Sequence, residues 1–308
     1  MTERWPKILV PAAGPMRPDR LDGAAAGMGE WGTETRALAA EGWVPPDMMT
    51  GLTLFLLSNQ PRDPRKQSIP GGGGGVAGGV WVRERFTLHR PLARADAFSV
   101  TGTAVGRHVH KGRRYGTNQS QTHNAQGQLV AQNVTTGLLA YQVDASLTDR
   151  LEGQAPEHVV APQPDWAAAV ENPCLAALKA LTPGTVFETA PVTVSLDLMA
   201  ARDTQQPDNP IHSDPELAKK AGLSKPIAGG SHVLAFVLEV LMRQVGRHAL
   251  LHGACFDVRW KAPVYADQAM VPWVEVVAVG DDRVSLRLEA RLVSGAVAMS
   301  AEVTVPLI

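Results

Sequence analysis

One order of elements occurs twice in this chain of 308 residues: an apolar helix followed by a run of antiparallel strands. Residues 46–57 begin with Pro46 and Asp47, a proline and an acid where helix N-termini favour them, and are apolar nearly all round, which predicts a buried helix. Behind them, residues 80–88, 97–105, 114–123 and 129–141 carry β-branched or alternating stretches, separated by turn signals at Gly106, Lys111-Gly112 and 124–127. The second half repeats the order with an apolar helix over 231–245 and strands over 254–261, 269–279, 283–293 and 296–306. The junctions match too, since Pro91 and Asp96 are echoed by Pro263 and Asp267 at offsets of 172 and 171.

A long buried helix followed by a strand meander implies a helix wrapped by a curved sheet. Two such units make an α+β chain with a duplicated hotdog arrangement. The predicted boundaries are an N-terminal unit over 1–152, a connection over 153–185 with a short helix over 166–181, and a C-terminal unit over 186–308. The 29 glycines and 23 prolines exceed the usual combined share of about 12% and gather in breaks rather than repeats. The densest, Gly71 to Gly75, lacks the Gly-Lys-Ser/Thr ending of a phosphate loop and suits a lid or entry loop.

Composition narrows the function classes. With 29 Lys+Arg against 30 Asp+Glu the net charge is −1, which gives no field for a polyanion, so nucleic acid is not an expected partner. Cys174 and Cys255 fit no metal or redox spacing, and the expectation is reduced thiols with no metal and no cofactor. No apolar run is long enough for a membrane span and the first residues do not resemble a secretory signal, so the expected location is the cytoplasm.

Only the stretch over 203–230 has no counterpart in the first half. It contains Asn209-Pro210-Ile211-His212, then Asp214, then Pro226-Ile227-Ala228 with Gly230 just before the second helix. These residues resemble the signature of the MaoC-like family of enoyl-thioester hydratases and dehydratases, and the likeness runs over residues 186–308. The first half resembles, more loosely, the degenerate hotdog unit of two-domain members. The resemblance implies reversible hydration of a trans-2-enoyl-CoA to a 3-hydroxyacyl-CoA, with an acyl-CoA thioester as substrate and a homodimer as a possible assembly.

That chemistry needs an acid–base group at the water, a carboxylate beside it, and donors for the thioester oxygen. His212 suits the first place, because a histidine exchanges its proton near neutral pH. The resemblance implies an aspartate five residues before it, where this chain has Pro207; Asp208 or Asp203 are the candidates to replace it. Both also suit turn or cap positions. Asn209 fits an Asx-type brace of the loop. Gly229 stands where the family has a histidine, and the amides around Gly230 and Ser231 fit an oxyanion site at the helix start. Gly230 equally suits close packing, and Ser231 a helix cap. His108 and His110 with Lys111, Arg113 and Arg114 form a basic hairpin, either a solvated face or a contact for CoA phosphates. His232, His248 and His252 are expected to be structural or surface residues. A hotdog thioesterase and a non-catalytic acyl-CoA-binding subunit are the competing readings.

Overall fold

The computed structural model describes residues 5–16, 18–58, 60, 80–139, 141, 143–163, 171–203 and 210–308. Short strands β1 (Lys7–Ile8) and β2 (Ala12–Pro15) and helices α1 (Pro18–Ala26) and α2 (Thr33–Ala40) precede the first apolar helix, α3 (Gly51–Ser58). Then come β3 (Val80–Leu88), β4 (Ala97–His110), β5 (Arg113–Asn124), β6 (Leu129–Leu138) and β7 (Arg150–Gly153). The second half opens with α4 (Leu175–Lys179), β8 (Val186–Glu188), β9 (Val192–Val194), α5 (Leu196–Asp203) and α6 (Pro215–Lys220). It closes with α7 (Gly230–Val245), β10 (Cys255–Trp260), β11 (Gln268–Val279), β12 (Arg283–Leu292) and β13 (Val297–Pro306).

The strands form one antiparallel sheet in the order β1-β4-β5-β6-β3-β10-β13-β12-β11-β8, with β2 and β7 also on β4 and β9 on β11. β3 and β10, the first strand of each meander, pair with each other, so the two units share a sheet rather than merely touching. Phe86 lies opposite Phe256 at this join, and their rings stack at 4.3 Å and 6°. α3 packs on β4 and β5 and α7 on β11 and β12, which gives two wrapped helices: the predicted double hotdog. Alternation is what buries one face. Along β12, Val284, Leu286, Leu288, Ala290 and Leu292 point into the core.

α7 is buried nearly all round, and its buried polar side chains, His232 and Glu239, have identified partners. Glu239 accepts hydrogen bonds from the Glu34 and Thr35 amides and the Thr35 hydroxyl, where a carboxylate is favoured at the start of α2. His232 donates from Nε2 to the Gly27 carbonyl at 2.8 Å. Burial foremost, with Arg202 and His212 nearby, holds the His232 ring well below the usual histidine range. The N-terminal helices are thus fastened across the second unit's helix.

Several expectations are refined. Gly106 is not a turn: β4 runs on to His110 through a bulge between Ala104 and Gly106, and a Cβ at 106 would lie 2.3 Å from the Gln154 carbonyl oxygen. The hairpin turn is Lys111-Gly112, both at positive φ, as a two-residue connection of this kind requires. The first apolar helix starts as a 3-10 turn over Pro46–Thr50 before becoming α-helical. Of the helix expected over 166–181, residues 171–181 are described, and α4 (Leu175–Lys179) is the helical part of them. The Gly71 to Gly75 loop lies outside the described residues. Both cysteines are free thiols, and no described helix is long and apolar enough to cross a membrane.

Candidate functional site

His212 ends a 3-10 turn over Pro210–His212 and is only 8% exposed. Its Nδ1 is 2.7 Å from the carbonyl oxygen of Ile227, an atom that can only accept, so Nδ1 carries the proton and Nε2 is the basic nitrogen of the neutral ring. The carbonyl is itself held in place. The Ile227 amide donates to Ile211, Ala228 donates to Val264, Ala266 donates to Pro226, and Ile227 bridges Tyr265. Three residues further on, α7 begins without a side-chain cap. His232 and Val233 donate to the Gly229 carbonyl, while the amides of Gly230 and Ser231 find no acceptor among the described residues.

These groups line a cavity of about 240 Å³ between the two units. The second unit contributes His212, the α7 start and Trp260; the first contributes Met48, Trp81, Arg113 and Tyr141. Trp260 donates from Nε1 to the Gly230 carbonyl at 3.0 Å, and its ring lies against Trp81 at 5.9 Å. A Cβ on Gly230 would come within 2.8 Å of the Trp260 ring, so close packing is one reason for this glycine. A Cβ on Gly229 would meet only His212 Cε1, at 4.0 Å.

The two units enter their helices on matching backbone. Pro45 stands at φ −60°, ψ 147° and Gly229 at φ −59°, ψ 146°. Val44 donates to Leu92 as Ala228 does to Val264, and Arg94 donates to Gly42 as Ala266 does to Pro226. Trp43 bridges Ala93 as Ile227 bridges Tyr265. Pro46 is therefore the counterpart of Gly230, and Asp47 that of Ser231. Asp47 lines the same cavity, 1% exposed, and its Oδ2 is 2.5 Å from Nη2 of Arg202 on α5.

His212, Gly229, Gly230 and Ser231 are thus brought together, as the sequence motif suggested. Asp203 closes α5. Asp208 and Asn209 lie outside the described residues. Of the basic hairpin, Arg113 reaches the cavity, with its guanidinium 5.5 Å from the Tyr141 ring centre, whereas His110 pairs with Asp149. His248 meets Glu41 at the surface, and burial foremost lowers His252 to about 4. Sequence reasoning missed Asp47 and Arg202 as site residues. The signal was the helix-entry match between the halves, which shows only once residues 42–47 are aligned on 226–231.

Residues 180–294 match the MaoC like domain family. The match covers most of the second half. No curated protein sequence matches the chain. Among solved structures, a MaoC domain protein dehydratase from Chloroflexus aurantiacus superposes with a TM-score of 0.67 at 14% identity, covering 99% of this chain and 96% of that one. HtdX from Mycobacterium tuberculosis gives 0.58 at 19% identity, over 96% and 97%. A second Mycobacterium tuberculosis protein, described as having a double hotdog fold, gives 0.61 at 15% identity, over 96% and 93%. The likeness extends beyond the MaoC-like domain to the whole duplicated fold.

Proposed function

We propose that the protein is a hydro-lyase that adds water to a trans-2-enoyl-CoA to give the (R)-3-hydroxyacyl-CoA, or removes it in reverse. The observation that carries the reading is the buried His212, its tautomer set by Ile227, on the same cavity wall as the Gly230 and Ser231 amides. The match to a MaoC-like domain supports the hydro-lyase class. As the water oxygen bonds to C3, Nε2 of His212 takes one of its protons, and the π electrons move toward the thioester oxygen. The two amides, at the positive end of α7, stabilise the charge there. The imidazolium returns its proton to C2 on the same face, so one water is added and His212 is regenerated. A carboxylate holds the hydrogen that stays on the new hydroxyl.

The test is the absorbance of the conjugated enoyl thioester, followed across short, long, branched and carboxylated enoyl-CoAs with a thiol reagent in parallel. Loss of absorbance without thiol release is expected, falling about 10²–10⁴-fold in His212→Ala. Thiol release would assign a thioesterase instead. No reaction in either channel, with acyl-CoA still bound, would assign a binding subunit.

A further inference from the structure

The first unit places a carboxylate on the reaction cavity at the position matching Ser231. Asp47 is held at the second residue of the helix entry, where Thr50 donates from Oγ1 to its carbonyl at 2.6 Å. Oδ2 is occupied by the ion pair with Arg202, whose Nη1 also reaches the Ala24 carbonyl. Oδ1 is buried and has no hydrogen-bond partner among the described residues. An acceptor left unpaired in a protein interior loses its hydration without compensation, and native structures rarely leave one so. This one belongs to a residue of the cavity wall, and a donor arriving with the substrate would satisfy it.

We propose that Asp47 is the carboxylate partner of His212, so that the two acid–base groups come from opposite units. The proposal rests on the hydratase reading. In it, Oδ1 accepts the hydrogen that remains on the attacking water and later on the 3-hydroxyl. Asp47 itself neither gains nor loses a proton, and Arg202 keeps its charge compensated throughout. The prolines at 45 and 46 fit this division: they offer no N–H to an oxyanion, so the first unit's helix entry can supply an acceptor and the second unit's the donors.

The experiment compares wild type, Asp47→Asn, the double variant Asp47→Asn/Arg202→Gln, Asp47→Glu, Asp203→Asn and Asp208→Asn on the best enoyl-CoA, with melting curves for each. The double variant removes both charges and so leaves no buried ion unpaired. Expected is a fall in kcat of about 10²-fold or more for the two neutral variants, with KM changed less than about threefold. Asp203→Asn and Asp208→Asn should stay within about tenfold of wild type. Asp47→Glu keeps the charge but moves the oxygen by one methylene; it decides the matter if the neutral variants do not fold, and should lose at least about tenfold while melting near wild type. A folded Asp47 variant with wild-type kcat, or a loss confined to Asp208→Asn or Asp203→Asn, would overturn the proposal while leaving the hydratase reading intact. A wild-type protein that hydrates no enoyl-CoA would overturn both.

Discussion

The two units are built on one plan, but their interiors differ in kind. Around α7 the packing is almost entirely hydrocarbon, with Leu234, Phe236, Val237, Leu238 and Leu241 against the inner faces of β11 to β13. Under α3 the first unit instead buries a polar cluster. Asn133 Nδ2 and Thr135 Oγ1 both donate to Glu84 Oε1, at 2.8 and 3.2 Å, and Thr135 reaches Thr53, which bonds Ser120. Directly across the central join, Glu84 faces Val258. The helix entries differ in the same sense: glycine amides in one unit, prolines and a buried carboxylate in the other. Duplication supplied two equivalent walls, and the difference shows what each now contributes. The second unit carries the more apolar core, and the first carries a polar interior.

The sharpest way to break this comparison is to make the first interior indifferent to protons. Glu84 is fully buried, and desolvation foremost raises it from 4.5 to about 8, against the lowering effect of Asn133 and Thr135. A carboxyl whose folded value is raised keeps its proton where the unfolded chain has lost it. Its contribution is fully present below about 4.5 and declines as pH rises toward 8. The unfolding free energy of wild type should therefore fall between these limits. Glu84→Gln keeps an oxygen for Asn133 and Thr135 and removes the ionisation, so it should flatten that slope and be more stable at pH 8 by on the order of 4 kcal/mol. Denaturant titrations at pH 5, 6.5 and 8 measure it, and parallel slopes for the two proteins would show that Glu84 does not titrate in this range.

A smaller effect is expected at the other helix entry. Gly230→Ala puts a methyl 2.8 Å from Trp260 Cε2 and 2.9 Å from the Nε1 that donates to the Gly230 carbonyl. The indole must move, and both its hydrogen bond and its contact with Trp81 move with it. A loss of about 1–3 kcal/mol is expected, read as a lower denaturant midpoint at unchanged slope, together with a red shift in tryptophan emission. An unchanged midpoint would mean that the entry has slack, and that this glycine is kept for approach to the ligand alone.

Much of the fold was visible in the chain because each strand's signal is local. β3 falls where the β-branched run over 80–88 put it, and β12 and β13 follow their alternation to within a residue or two. What escaped depends on contacts remote in sequence. Gly106 gives the same local signal as a turn glycine, and the contact that distinguishes it is the approach of Gln154, just past β7. α1 and α2 are short and weakly patterned, and they are held by Glu239 and His232 some two hundred residues away. In the site, the Asn-Pro-Ile-His run marked His212 because its spacing is local. Asp47 read as an ordinary first-turn acid of a helix, since nothing near it in sequence announces Arg202, 155 residues further on.

The finest test separates two adjacent glycines. Gly229 has the same dihedrals as Pro45 in the other unit, an extended conformation open to any L-residue, so its backbone does not require glycine. A Cβ there finds only the His212 ring edge at 4.0 Å, an ordinary contact, whereas its neighbour's would strike an indole. Gly229→Ala should therefore stabilise the protein by about 0.4–1 kcal/mol, because alanine restricts the unfolded chain without straining the folded one. The sign of this small effect is what matters. A higher denaturant midpoint for Gly229→Ala beside a lower one for Gly230→Ala would show that the two glycines do different work, the second fitting the tryptophan and the first leaving open the space beside His212. A loss at both positions would mean that the helix entry is tighter than its twin in the first unit, and the equivalence of Pro45 with Gly229 would then hold for the backbone alone.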